Sequence, residues 1–215
     1  QMKCIEELLL DKSLVSTYHH KLSEKNLIFY DTETTGILKD FSQILQCGSV
    51  LTDEGLNTLD EQNIGCAPLP WVIPQPMAMI TNKKIDLFKS NISHYQMMKD
   101  LQMQWKQWSA ENPAIFITYN GHAFDEELVR RQFFWNLLEP YTTNTNGNGR
   151  LDLMLMIHNI AAFFSDEISM PLFEGGPGIS YKLEHLAIEH DIDAGDAHDA
   201  IADCNLMIEM CRIIK

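Results

Sequence analysis

Asn26-Leu-Ile-Phe-Tyr-Asp-Thr-Glu-Thr-Thr-Gly36 is the stretch on which the reading of this chain turns. Leu27 to Tyr30 form an apolar run with β-branched and aromatic members, the composition of a short buried strand. Side chains alternate along a strand, so Asp31 and Glu33 project to one face. They stand at its C-terminal end, where open α/β sheets hold their ligands. Gly36 then releases the chain into a turn. An Asp-x-Glu pair by itself is most often a solvated strand end, so its meaning depends on what else reaches the same edge.

Two further stretches supply candidates. Ala114-Ile-Phe-Ile-Thr-Tyr119 reads as a second apolar strand, followed by Asn120-Gly-His-Ala-Phe-Asp125. Asp125 opens an amphipathic helix with Leu128, Val129, Phe133 and Leu137 on one face. Alone, it is an acid in a helix's first turn, where the dipole favours it. His198-Asp-Ala-Ile-Ala-Asp203 lies on the last helix. His198 and Asp203 are about 140° apart around that helix, not on one stripe, but both can reach a site that the helix end faces. Separately, each is an ordinary polar helix residue. As a set, four carboxylates and one imidazole are what a two-metal phosphodiesterase uses. Carboxylate oxygens hold hard divalent cations, the cations activate a water and stabilise the attacking and leaving oxygens, and an imidazole accepts a proton near neutral pH.

Asp31-x-Glu33, Phe124-Asp125 and His198-x4-Asp203 together resemble the DEDDh class of 3′-to-5′ exonucleases, in the DnaQ-like, ribonuclease H-like superfamily. The resemblance runs from about residue 26 to the C-terminus. Within the class the chain is most similar to the nuclease domain of bacterial exonuclease I. Ile73-Pro-Gln-Pro76 with Ile80-Thr81, Arg150-Leu-Asp-Leu153, Ser180-Tyr-Lys-Leu-Glu-His-Leu186 and Asp196-Ala-His-Asp199 carry that likeness, whereas Thr34-Thr35-Gly36 is more typical of proofreading subunits. The resemblance implies an α/β ribonuclease H-like domain over residues 26–215, a mixed central sheet flanked by helices. It implies release of mononucleotides from the 3′ end of single-stranded DNA. It also implies that Asp31, Glu33 and Asp203 hold the nucleophile-side metal, that Asp31 and, through water, Asp125 hold a second, and that His198 is the general base. Two Mg²⁺ ions are the expected cofactor, with Mn²⁺ as a substitute, since both suit an all-oxygen site. Thr32, Thr34 and Thr35 would line the terminal nucleotide, with Asn120 and Phe124 at its sugar or base.

Composition sets the limits. At 215 residues and 45% apolar, the chain can bury the core of one domain. No apolar run approaches the ~18 residues of a membrane span, and no signal-peptide pattern opens the chain. The five cysteines are odd in number and form no Cys-x-x-Cys pair, which points to reduced thiols in the cytoplasm rather than a disulfide or zinc framework. The net charge of −14 runs against a wide phosphate footprint. It leads to an expected footprint of a few nucleotides at a 3′ end, or else a protein partner or a further domain that supplies basic surface.

Residues 1–25 carry apolar side chains at roughly helical spacing and read as an appended helical extension. Strands are expected at residues 26–31, 43–52 and 57–66, the last two forming an antiparallel hairpin around Asp53-Glu-Gly55. Residues 68–76 read as a Pro-rich loop. Ser93 caps a helix through Trp108, with Tyr95, Met98, Leu101, Trp105 and Trp108 on its face. A strand at 114–119 and helices at 124–138, 152–164, 181–190 and 198–213 follow, with loops at 142–149 (mobile) and 175–178. Two other functions fit parts of the pattern: a 3′ exoribonuclease or oligonucleotidase, because no residue visibly reads a 2′-hydroxyl, and an idle nuclease-like module that binds within an assembly. The intact set of acids speaks against the second, since an idle domain has no physical reason to keep mutually repelling carboxylates.

Overall fold

The computed structural model of the chain describes residues 25–173, 176–193 and 199–214. The expected helical extension at residues 1–25 therefore lies, apart from Lys25, outside the described residues. The run from Asn26 forms β1 (Asn26–Thr34), which continues three residues past the expected strand. β2 (Ile44–Thr52) and β3 (Thr58–Gly65) follow as the expected antiparallel hairpin. Its turn places Leu56, not Gly55, in the left-handed region, at φ 65°. β4 (Ala114–Thr118) pairs parallel to β1, and β5 (Gly149–Asp152) pairs parallel to β4. The sheet order is β3-β2-β1-β4-β5, a mixed sheet with β1 at its centre.

The alternation of β1 divides the core. Ile28 and Tyr30 face one layer, with Phe116 of β4, and are covered by α2 (His94–Trp108) and α3 (Asp125–Trp135). Tyr30, Trp105, Phe116 and Phe133 form an aromatic cluster there, with ring centroids 4.8–6.3 Å apart. Phe29 faces the other layer with Ile117, covered by α4 (Leu153–Phe163), α5 (Leu183–Glu189) and α6 (Ala200–Ile213). Ser93 caps α2 as expected, its hydroxyl accepting the Gln96 N–H at 3.1 Å. On the α2 face Met98, Leu101, Trp105 and Trp108 are buried, but Tyr95 is half exposed.

One segment to which the sequence assigned no element is ordered, and two readings of the chain are corrected. The segment after the Pro-rich loop is helical: α1 (Pro76–Asn82), with Pro at its first turn, and a 3₁₀ turn at Lys84–Lys89. Residues 142–149 are not simply a loop, because Thr142 and Thr143 are buried in a 3₁₀ turn and Gly149 begins β5. Leu137 is not on the core face of α3. The helix ends at Trp135, and Leu137 sits at φ 57° with 94% exposure. Among the described residues no helix is long and apolar enough to cross a membrane.

Candidate active site

Asp31 and Glu33 leave β1 on the face that carries Phe29, towards α6. There Asp203, in the first turn of α6, joins them: one ligand atom from each of the three carboxylates lies within 4.8 Å of the others. The approach depends on Gly48, which pairs with Asp31 across β2. A Cβ on Gly48 would fall 2.6 Å from the Ala200 carbonyl carbon, so α6 rests directly on bare backbone. Asp199 caps α6 through the Ile201 N–H at 3.2 Å and pairs with Lys84 Nζ at 2.8 Å.

Asp125 comes from the other side of the sheet. It is buried at the start of α3, and its carboxylate accepts the hydroxyl of Thr32, whose side chain points opposite to Asp31 and Glu33. Asp125 is not within the three-carboxylate group, yet its charge is the strongest single repulsion on Asp31. Next to it, buried Glu126 accepts from Tyr30 Oη (2.8 Å), Thr143 Oγ1 (2.6 Å) and Arg150 Nη1 (2.9 Å), which ties α3 to the sheet.

These acids resist ionising together. Burial, then repulsion from Asp125, Asp203 and Glu33, pushes Asp31 well above the usual carboxylate range. Burial and the Asp203 charge raise Glu33 to about 8, against the pull of Lys84. Burial raises Asp125 to about 6, although the Thr32 hydrogen bond pulls it down. A converging set of carboxylates that is costly to charge fits a hard divalent cation, which would supply the missing positive charge and accept oxygen ligands.

The other expected residues divide. Thr34 Oγ1 donates to the Gly36 carbonyl at 2.8 Å, and Thr35 Oγ1 accepts the Gln43 N–H at 2.8 Å. The hydroxyls of Thr34 and Thr35, expected at a nucleotide, thus hold the strand end and its own loop, and that of Thr32 holds Asp125 of α3. Phe124 is half-buried against the core. Asn120 is exposed on the wall of a cavity of about 770 Å³ that opens beside Asp31 and Asp203. His198 lies outside the described residues. Sequence reasoning did not assign to the site other residues of that wall, among them Tyr119, His158, Phe173, Tyr181, and Lys182 with its ion-pair partner Glu184. The Tyr119 hydroxyl donates to the Tyr181 carbonyl at 2.5 Å, and His158 meets the Tyr181 ring edge-on, centroids 3.8 Å apart. It also missed Lys84, whose doublet with Lys83 was the available signal.

The mixed sheet, with acids gathered at the C-terminal end of its central strand, makes this a ribonuclease H-like α/β domain, as the sequence led one to expect. No family model matches the chain. It is similar to exodeoxyribonuclease I of Buchnera aphidicola (subspecies Schizaphis graminum), 29% identical over 199 residues that cover 91% of this chain and 40% of that one. It is 26% identical over 210 residues to exodeoxyribonuclease I of Escherichia coli K12, covering 89% and 40%. The chain thus spans about two fifths of the length of these curated relatives. A crystal structure of E. coli exonuclease I with a dA16 oligonucleotide superposes with a TM-score of 0.82 at 24% identity, covering 89% of this chain and 41% of that one. The zinc-bound form of the E. coli enzyme's complex with single-stranded DNA gives 0.80 at 24%, covering 89% and 40%. These superpositions establish a shared fold, and the resemblance to the nuclease domain of exonuclease I, read from the stretches around Ile73, Arg150, Ser180 and Asp196, is borne out.

Proposed function

We propose that the chain is a divalent-metal-dependent 3′-to-5′ exonuclease that removes mononucleotides from single-stranded DNA. The observation that carries this reading is the convergence of Asp31, Glu33 and Asp203 within 4.8 Å at the open end of β1, beside a cavity large enough for nucleotides. Similarity to exodeoxyribonuclease I over about nine tenths of the chain supports the substrate class.

Asp31, Glu33 and Asp203 would hold one Mg²⁺, and Asp31 with Asp125, through water, a second; Mn²⁺ would serve in their place. Bound there, the cations supply charge for the attacking and leaving oxygens of an in-line displacement and make the attacking water more acidic. His198 takes the proton of that water. The water oxygen bonds to phosphorus as the bond to the penultimate 3′ oxygen breaks. The terminal nucleotide leaves as a 5′-monophosphate, and the shortened strand regains a 3′-hydroxyl by taking a proton. Lys182 and the Tyr119, Tyr181 and Phe173 rings, on the cavity wall, would hold the strand by charge and by stacking.

The test is incubation of 3′- and 5′-labelled DNA and RNA strands, single and double, with Mg²⁺ or with EDTA. Mg²⁺-dependent shortening of single-stranded DNA from its 3′ end is expected. Preferential loss of RNA would move the assignment to an exoribonuclease. No cleavage of any strand with Mg²⁺ or Mn²⁺ would overturn the catalytic reading.

A further inference from the structure

We propose that Asp152 is a positioning residue that fixes the backbone turn carrying Asp125. The proposal rests on the reading of Asp125 as a metal-site acid. Asp152 ends β5, pairs with Thr118 of β4, and is 3% exposed. Its Oδ1 accepts the N–H groups of Asn120 (2.9 Å) and Met154 (3.1 Å), and its Oδ2 accepts that of His122 (3.1 Å). One N–H belongs to the cap of α4. The other two flank Gly121 in the turn between β4 and α3.

That turn needs holding. Asn120 is at φ 58°, in the left-handed region, which asparagine enters more readily than most residues with a side chain but which still leaves the turn's amides to be held from outside. A Cβ on Gly121 would lie 2.4 Å from Thr118, so the turn is pressed onto the end of β4. Its carbonyl is the anchor of α3: Gly121 O accepts both the Phe124 N–H (3.1 Å) and the Glu126 N–H (2.9 Å), the residues on either side of Asp125. α3 has no side-chain cap of its own. A continuous path of hydrogen bonds therefore runs from the Asp152 carboxylate through the Asn120 and His122 amides to the Gly121 carbonyl and the amides flanking Asp125. Three donors converging on one buried side chain call for an acceptor with two oxygens and no N–H, which a carboxylate is and an amide is not. The same two turn bonds set Asn120 on the cavity wall.

The experiment compares the full chain with Asp152→Ala, Asp152→Asn and Ser93→Ala. Ser93 caps α2 away from the acids, so Ser93→Ala is a control for loss of stability alone. Mn²⁺ affinity is measured by titration calorimetry without substrate, melting temperature alongside it, and DNA cleavage as a function of Mn²⁺. Asp152→Ala is expected to lower Mn²⁺ affinity by about 10–100-fold, the usual effect of removing a group that orients a metal ligand. Its cleavage should recover as Mn²⁺ is raised. Asp152→Asn keeps the bonds to Oδ1, turns an N–H towards His122, and should lie between Asp152→Ala and wild type. Should Asp152→Ala fail to fold, Asp152→Asn decides the matter. Ser93→Ala should melt earlier yet bind Mn²⁺ as wild type. Wild-type Mn²⁺ affinity in the Asp152 variants, or an equal loss in Ser93→Ala, overturns the proposal alone. A wild-type chain that binds no Mn²⁺ overturns the metal reading and this proposal with it.

Discussion

Gly48→Ala tests whether the proposed metal site is assembled by the contact between α6 and bare strand backbone. Gly48 shows no left-handed φ, so alanine meets no conformational barrier there and the effect is steric. The new Cβ would lie 2.6 Å from the Ala200 carbonyl carbon, 2.7 Å from the Ile201 nitrogen and 2.8 Å from the Ala200 oxygen, where ordinary contact begins at 3.4 Å. These neighbours are backbone and cannot swing aside. The first turn of α6 must therefore retreat by about 0.8 Å, taking Asp203 with it, while Asp31 stays on β1. Protein metal sites tolerate about 0.2 Å in ligand distance. The displacement exceeds that several-fold, so Mn²⁺ affinity should fall by about 10–100-fold. Over-packing should also cost about 1–3 kcal/mol of stability. The stiffer unfolded chain returns only about 0.4–1 kcal/mol, so the melting temperature should drop too. Titration calorimetry with Mn²⁺, paired with thermal unfolding, reads both effects. Destabilisation with unchanged Mn²⁺ affinity would show that α6 shifts without disturbing the site and would refute the reasoning.

Other outcomes follow from the same acids. Glu33 binds its proton more tightly folded, at about 8, than an ordinary glutamate does unfolded. The native state therefore holds more protons across that interval, and metal-free stability should fall as pH rises from about 4.5 to 8; the increase in melting temperature on adding Mn²⁺ should grow over the same range, and a flat metal-free profile would contradict it. A circular single-stranded DNA should resist cleavage that a linear one undergoes; equal rates would indicate an endonuclease. Asp203→Ala should weaken metal binding and abolish turnover together. His198→Ala should bind Mn²⁺ normally and cleave about 10²–10⁴-fold more slowly, with partial recovery as pH rises; wild-type rates across pH 6–9 would end the general-base assignment.

β1, the β2–β3 hairpin and the capped helix α2 could be read from the sequence because each carries its own periodicity and punctuation. Asp31 and Glu33 could be read for the same reason, since a period of two assigns both to one face. β5 could not: it is four residues long, follows a Thr/Asn/Gly run, and exists only because β4 offers it an edge. α1 was hidden by the prolines before it, although Pro76 at a first helical turn was the signal. Leu137 was assigned to a helical face because nothing local announces that α3 stops two residues earlier. The cavity wall was illegible for a different reason. Tyr119, His158 and Tyr181 stand far apart in the chain, and only the packing of α4 and α5 on the sheet brings them together.

Charge joins these observations. A chain at −14 has little long-range attraction for a polyanion, and its centre concentrates carboxylates whose repulsion and burial raise Asp31, Glu33 and Asp125 above ordinary values. That arrangement is unfavourable as it stands. Protons relieve it wherever the pH lies below these raised values, and divalent cations held there would relieve it above them. The same ions that let the acids stay ionised would reverse the local sign of the field where a phosphate must approach. Attraction for a phosphate would thereby be confined to the site, which fits a footprint of a few nucleotides at a strand end better than a broad basic track. An idle binding module would gain nothing from this arrangement. Replacing Glu33 with Gln would remove one repelling charge and one ligand oxygen together. In such a module the change should raise metal-free stability at pH 8 at no functional cost; in a nuclease it should raise that stability while Mn²⁺ affinity and cleavage collapse. If cleavage survived Glu33→Gln, the carboxylates would not be the site.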